Sequence, residues 1–568
     1  MTAERINTPL PIGHSFFERV IEDAYYYVDK TPFIKDLLDK GALVTLCTRP
    51  RRFGKTLNQT MLKCFFEDTA QVGGKNTRPL FNSLKIESYG EKYLRHQGKY
   101  PVVFLSFKEA KRHNFEDSYG NLADCIAYEF SRHEYVKEKI LKESGRDLFE
   151  KLSSGKGTQK EYCESLKFLC ECLQNYHGQK AVILIDEYDV PLENAWFNGF
   201  YGEMINFIRP LMSSTFKDNT ALQFSVITGC LRVSKESIFT GLNNLDIMSI
   251  LSVQYDEYFG FTQDEVETVL AYYGFENDVE TTKKWYNGYV FGNAEVYNPW
   301  SVIKRVSDLK AYIKCLPSPY WVNTSSNDII RKLVYKVGNE SKEELETLMA
   351  GGTIFKAIHE DITYDEIEKK VNNLWNFLFF TGYLKKVGEN NQGDNGELLL
   401  NLSIPNFELN YIYNRKIQEW FDECITTKNL ELFFDSVLNG NVDVFQTELS
   451  KLLAESISFM DCAENFYHGF MVGILSRLDG YLVKSNRESG NGRSDLVLYS
   501  ANGIDDKAII FELKTAKKFN DLPLVCDEAL KQIEKNNYAA EWYEDGYRSI
   551  SKYGIGFYKK KCEVRTAE

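Results

Sequence analysis

No stretch of the 568-residue sequence stays apolar for the roughly 20 residues that a membrane helix needs, and its opening residues lack a secretory pattern. The expectation is a soluble, cytoplasmic protein with no membrane partner. Positive charge is also scarce: 68 Lys and Arg against 81 Asp and Glu leave a formal charge of −13. That excludes a protein that coats nucleic acid by overall charge and restricts any such contact to a local basic surface. Metal-ligand spacing is missing among the twelve cysteines. Cys163, Cys170 and Cys172 come nearest, but they fall in the helical pattern YCESLKFLCECL, where reduced thiols pack and zinc is not expected. Apolar residues at 43% and aromatics at 14% suffice for packed interiors, and the length calls for two to four domains.

The stretch around which the chain is organised is Leu43 to Phe66, LVTLCTRPRRFGKTLNQTMLKCFF. It reads as a short apolar strand, a turn, and a helix with Leu57, Met61, Leu62, Phe65 and Phe66 at helical spacing. At the turn stand Gly54, Lys55 and Thr56, the ending of a phosphate-binding loop. Amides at a helix N-terminus attract phosphate oxygens, Lys55 reaches the terminal phosphates, and the Thr56 hydroxyl suits Mg²⁺. The usual pattern opens with glycine, where this chain has Arg49, followed by Pro50. An extended backbone at Arg49, favoured by the proline, still allows such a loop.

A second stretch, AVILIDEYD from Ala181 to Asp189, reads as a strand buried on both faces and ending in carboxylates. Ligands collect at that edge of an open α/β sheet, which places Asp186 to hold Mg²⁺ and Glu187 to polarise an attacking water. Further strands are expected at Pro101 to Phe107, Leu222 to Gly229 and Leu245 to Leu251, with helical patterns from Ser118 to Glu143 and Gln159 to Gln174. Such alternation calls for a parallel sheet with right-handed crossovers. Thr228 then ends the strand beside Asp186 as a polar sensor of the terminal phosphate.

The phrases VDKT (Val28 to Thr31), TRPRRFGKT (Thr48 to Thr56), LIDEYDVPL (Leu184 to Leu192) and TGCLRVSKESIFTGLNNL (Thr228 to Leu245) resemble the AAA-ATPase-like family often fused to a restriction-enzyme-like nuclease. That family's own loop carries the Arg49 anomaly. The resemblance implies ATP as the ligand, with Arg51, Arg52, Phe53 and Gly54 around it, and makes Arg51, Arg52 and Arg232 candidates for contacting phosphate or a neighbouring subunit of a homo-oligomer. Asp29 and Lys30 stand as further nucleotide-pocket candidates. Phe261 to Ser301 looks like the helical lid that follows such cores. A helix with Leu374, Trp375, Leu378 and Phe379, followed by extended runs at Tyr383 to Val387 and Leu398 to Leu402, suggests a winged-helix module. Its tip, Gly388 to Gly396, and the adjoining Glu397 supply Glu389, Asp394 and Glu397 and no basic residue, which favours a packing or hinge role over DNA contact.

The last segment holds a second constellation. A helix between Phe459 and Leu475 presents Glu464 among Tyr467, His468 and Phe470; a polar hairpin, SNRESGNGRSD, ends at Asp495; and the strand AIIFELK carries Glu512 and Lys514 on one face. A buried strand has no structural use for that pair. Asp495 and Glu512 supply hard oxygen ligands for Mg²⁺, Glu464 completes or supports the site, and Lys514 positions water and stabilises charge on phosphate. The pattern resembles the PD-(D/E)XK nuclease superfamily, and the resemblance makes the helix with Gln532 its fourth motif. Ser494 stands where that pattern has proline. Tyr553 to Tyr558 is expected to complete an αβββαβ layout.

The expected architecture is α/β: a P-loop NTPase parallel sheet over residues 1–255, a helical lid and winged-helix-like region over 256–410, and a restriction-endonuclease-like domain over 411–568. The expected function is ATP hydrolysis joined to Mg²⁺-dependent cleavage of phosphodiester bonds, in DNA. The competing reading is a regulatory NTPase switch whose C-terminal domain only binds nucleic acid or protein.

Overall fold

Five short apolar runs, buried where the sheet is covered on both faces, line up in parallel as β1 (Val44–Thr48), β2 (Val102–Ser106), β3 (Ala181–Asp186), β4 (Leu222–Gly229) and β5 (Leu245–Met248), in the order β2-β3-β4-β1-β5. In this computed structural model the described residues are 8–232, 238, 244–321, 344–345, 347–349, 351–360, 371–393, 396–413, 430–455, 464–489, 492–500 and 506–567. The chain divides into two compact units, Met1–Thr324 with Phe355–Tyr411, and Ser325–Ile354 with Ile412–Glu568. No helix among the described residues is long and apolar enough to cross a membrane.

In the first unit, Leu46 lies opposite Ile227 and Ser106 opposite Asp186, so the chemistry-bearing ends of β1, β3 and β4 share one edge. Helix α1 (Lys55–Phe66) buries Met61, Leu62, Phe65 and Phe66 completely. The outer strand β2 is protected: Glu129 and Arg132, on a helix from Phe115 to Arg132, take the Phe104 N–H and the Val102 carbonyl. Strand β5 stops at Met248, short of the expected Leu251. The Met248 carbonyl is taken by Arg49, and Ser249 turns the chain by accepting the Leu251 N–H.

After the sheet, helices Gln263–Tyr273 and Val279–Tyr286 and a hairpin of β6 (Tyr289–Phe291) and β7 (Ala294–Val296) lead to α2 (Pro299–Ala311). Val266, Leu270, Tyr286, Val302 and Val306 form their core. A fork of hydrogen bonds from Arg305 to Asp278, at 2.8 and 2.6 Å, ties α2 to the start of the preceding helix. The expected helix and hairpin follow as Val371–Phe380, β9 (Lys385–Gln392) and β10 (Leu398–Ser403), with β8 (Ile354–Ile358) added beside β10 as a third strand. Strand β9 runs past Gly388 to Gln392, and the Gly393 N–H then donates to the Glu397 carbonyl; Asp394 and the Glu389 side chain lie outside the described residues.

The second unit has one five-stranded sheet: β11 (Tyr481–Ser489), β12 (Gly492–Ser500), β13 (Lys507–Thr515), β14 (Ser549–Tyr558) and β15 (Lys561–Ala567), in sequence order. Only β13 and β14 are parallel. Alternation divides the two faces. Leu496, Leu498, Ile509, Phe511 and Leu513 pack with Tyr467 and Met471 of α3 (Glu464–Leu475), whereas Val497, Ala508 and Ile510 pack with Ile533 of α4 (Leu522–Lys535). Gly554 brings α4 close to the sheet, since a Cβ there would stand 2.6 Å from the Cys526 carbonyl. The terminal strand β15 extends the expected layout; its alternating Cys562 and Val564 are buried.

Candidate functional site

The phosphate loop turns by two left-handed residues, Arg52 at φ 68° and Gly54 at φ 79°. Gly54 adopts that conformation freely, and Arg52 is a non-glycine residue held there by its contacts. Arg49 does not occupy the cradle. It is fully buried, donates to the Thr48 and Met248 carbonyls at 2.9 and 2.8 Å, and lies between the Phe259 and Phe291 rings. Burial lowers its pKa to about 10. Phe53 is buried edge-on against Tyr289 and Phe291, which packs the loop onto the β6 and β7 hairpin. Lys55 Nζ spans the opening of the loop, donating to the Arg49 and Pro50 carbonyls at 2.9 and 2.8 Å.

One carboxylate joins the two expected phosphate-facing hydroxyls. Asp186 accepts from Thr56 Oγ1 at 2.7 Å through one oxygen and from Thr228 Oγ1 at 2.6 Å through the other. Burial pushes its pKa up, while the two hydroxyls pull it down. Glu187, in left-handed conformation at φ 54°, lines a cavity of about 350 Å³ together with Lys55 and Thr56. Tyr26, Tyr27, Val28, Trp300 and Ile303 form further walls of that cavity. Its size and mixed lining suit a small-molecule ligand.

The arginines have partners within the chain. Arg51 forms an ion pair with Glu193, Arg232 Nη1 lies 3.5 Å from Glu360, and Arg52 lies over Trp300 at 4.6 Å while donating to the Tyr320 carbonyl at 2.8 Å. Arg52 alone of these three lines the cavity. Lys30 also lines it, with Nζ held by Glu265 and the Glu257 carbonyl. Asp29 instead orders the backbone by accepting from the Thr31 and Lys85 amides.

Sequence reasoning missed Asp189. Its Oδ2 accepts from the Cys230 and Leu231 amides at 2.8 and 2.9 Å, which pins the turn after β4 to the end of β3. Burial raises it to about 6. The third acid of IDEYD was the available signal.

In the second unit, alternation puts Asp495, Glu512 and Lys514 on the α4 face, in step with Val497 and Ile510. Asp495 Oδ2 accepts the Leu513 N–H at 2.9 Å, which brings this carboxylate next to Glu512. Glu512 is 1% exposed, and Lys514 Nζ lies 3.9 Å from its Oε1. Gly554 and Gly556 stand opposite Glu512 and Lys514 on β14. Helix α3 packs on the other face, yet His468 reaches over to the Asp495 carbonyl at 3.0 Å. Glu464 begins α3, one turn before His468; its side chain lies outside the described residues. Gln532 of α4 donates to Tyr538 Oη at 3.5 Å.

Among the described residues no three His, Cys, Asp or Glu side chains gather as a ready metal site. The donor chemistry nevertheless fits a hard divalent cation at both places: Asp186 with the Thr56 hydroxyl, and Asp495 with Glu512.

A parallel sheet with a phosphate loop and an acid-tipped neighbouring strand defines a P-loop-like nucleotide-binding domain, and the mixed sheet with its Asp, Glu and Lys face defines a restriction-endonuclease-like one. Comparison with known families agrees. Residues 11–239 match the AAA-ATPase-like family described as "Predicted AAA-ATPase", and residues 462–567 match the PD-(D/E)XK nuclease superfamily, so the chain joins one domain of each kind. The chain is also similar to an uncharacterised protein in the vnfD 5′ region of Azotobacter chroococcum mcd 1, at 28% identity over 571 residues, covering 98% of this chain and 97% of that one.

Proposed function

We propose that this is a cytoplasmic enzyme that binds and hydrolyses ATP with Mg²⁺ in its first unit and cleaves phosphodiester bonds of DNA with Mg²⁺ in its second. The observation that carries the reading is that each unit sets buried carboxylate next to the groups a phosphoryl reaction uses: Thr56, Asp186 and Thr228 in one, Asp495, Glu512 and Lys514 in the other.

In the first unit the loop amides and Lys55 bind the phosphates, Thr56 and Asp186 hold the cation, Glu187 orients the attacking water, and Thr228 reads the terminal phosphate. In the second, Asp495 and Glu512 hold the cation, and Lys514 orients water and offsets charge that develops on the scissile phosphate. The ion supplies Lewis acidity and neutralises negative charge at each place. Closure of the lid on ATP is the step proposed to gate cleavage. The test is cleavage of supercoiled plasmid in Mg²⁺ with and without ATP, beside Lys55→Ala and Asp495→Ala. Cleavage that needs both residues supports the gated enzyme. ATP hydrolysis with no cleavage under any condition favours a switch whose second unit only binds.

A further inference from the structure

Glu408 is a completely buried carboxyl for which the proposed chemistry has no use. It sits in the helical residues 407–413, within the first unit up to Tyr411. Its Oε1 accepts the Trp321 backbone N–H at 2.9 Å, and the Ser301 hydroxyl donates to its Oε2 at 2.8 Å. Burying a carboxyl is costly unless its hydrogen bonds are met. Here they are met by the neighbour of one cavity wall, Trp300, and by the neighbour of Tyr320, whose carbonyl holds Arg52.

Ser301 follows Trp300 at the start of α2, where Asn298 caps the helix by accepting the Trp300 N–H at 2.9 Å. Trp321 follows Tyr320, whose carbonyl accepts from Arg52 Nη1 at 2.8 Å and from Trp300 Nε1 at 3.3 Å. Trp300 and Arg52 stack on each other and both line the cavity that Lys55 and Thr56 enter from the phosphate loop. One acceptor side chain therefore braces both residues that hold the aromatic wall in place. A tryptophan ring in the wall of the cavity that the phosphate loop enters is chemistry for stacking a nucleotide base.

We propose that Glu408 is a positioning residue for nucleotide binding: through Ser301 and Trp321 it fixes the Trp300 ring and the Arg52 guanidinium against the nucleoside part of ATP. This rests on the reading of the cavity as an ATP site. It assigns to Glu408 an effect on affinity and none on the hydrolytic step.

The test measures ATP Kd by calorimetry, and KM and kcat for hydrolysis, with the full chain. Glu408→Ala removes the acceptor of both hydrogen bonds behind the wall, and its Kd and KM are expected to rise about tenfold with kcat within about twofold. Glu408→Gln keeps a carbonyl for the Trp321 N–H and is expected to recover most of the affinity. Should the alanine variant fail to fold by circular dichroism, Ser301→Ala carries the same comparison, with a smaller rise in KM expected. Folded variants with wild-type Kd and KM, or with a loss confined to kcat, overturn the assignment. Wild-type protein that binds no ATP overturns the ATP reading itself and this inference with it, an outcome visible before any variant is made.

Discussion

Thr228 donates its hydroxyl to Oδ1 of Asp186 at 2.6 Å, from the strand next to the one that ends in the aspartate. Thr56 holds the other oxygen at 2.7 Å, so the Asp186 carboxylate is oriented from both sides before any ligand meets it. An oriented carboxylate in a buried place exerts a stronger field than the same group in water.

Asp186→Asn keeps the shape and removes the charge. ATP turnover is expected to fall at least ~100-fold, with binding reduced far less, because charge stabilisation in the transition state is the larger effect. Steady-state hydrolysis beside nucleotide binding checks this; a variant with near wild-type turnover would remove Asp186 from the machinery.

Arg49 gives the reverse expectation for a change that restores the usual loop pattern. Arg49→Gly leaves the Met248 carbonyl without its donor and opens a hole between Phe259 and Phe291, at a cost of ~3 kcal/mol. The melting temperature should drop and ATPase activity with it. A glycine variant as stable as wild type contradicts the anchoring role.

Asp495→Ala and Lys514→Ala are expected to abolish plasmid cleavage or lower it by ~100-fold, while ATP hydrolysis persists. The decisive comparison is both activities in one preparation. Loss of both together points to misfolding and is separated by circular dichroism.

Burial pushes the Glu408 carboxyl from its ordinary 4.5 up to about 7, against the pull of its hydrogen bonds and of Arg52. The folded chain thus keeps a proton between pH 4.5 and 7 that the unfolded chain has released. The contribution to stability is full below pH 4.5 and is lost as pH rises through 7, by at most ~3 kcal/mol. Glu408→Gln cannot titrate, so relative to wild type it should gain stability between pH 5 and 8. Denaturant unfolding at the two pH values measures the difference, and parallel pH profiles would falsify the assignment.

Much of the fold can be read from runs of sequence because its strands are short, apolar and bounded by turns. Val44 to Thr48, Ala181 to Asp186 and Leu222 to Gly229 needed only local pattern. Glu512 and Lys514 share a face because strand geometry has a period of two. Boundaries fared less well where a distant group intervenes, as at Met248, whose carbonyl Arg49 removes from the sheet, and β15 has no motif that announces it.

The phosphate loop, the acid-tipped strand and the paired Glu512 and Lys514 are legible in the linear chain, since each is written within a few consecutive residues and follows from backbone periodicity, and their positions along the chain give the order of the two domains. Tertiary structure alone decided that Arg49 turns away from the loop into an aromatic slot, that Asp189 pins the turn after β4, that Arg52 rests on Trp300, and that Glu408 braces both. Those contacts join residues some 40 to 250 positions apart, and their energies depend on burial and on which donor meets which acceptor. Neither quantity exists until the chain has closed on itself.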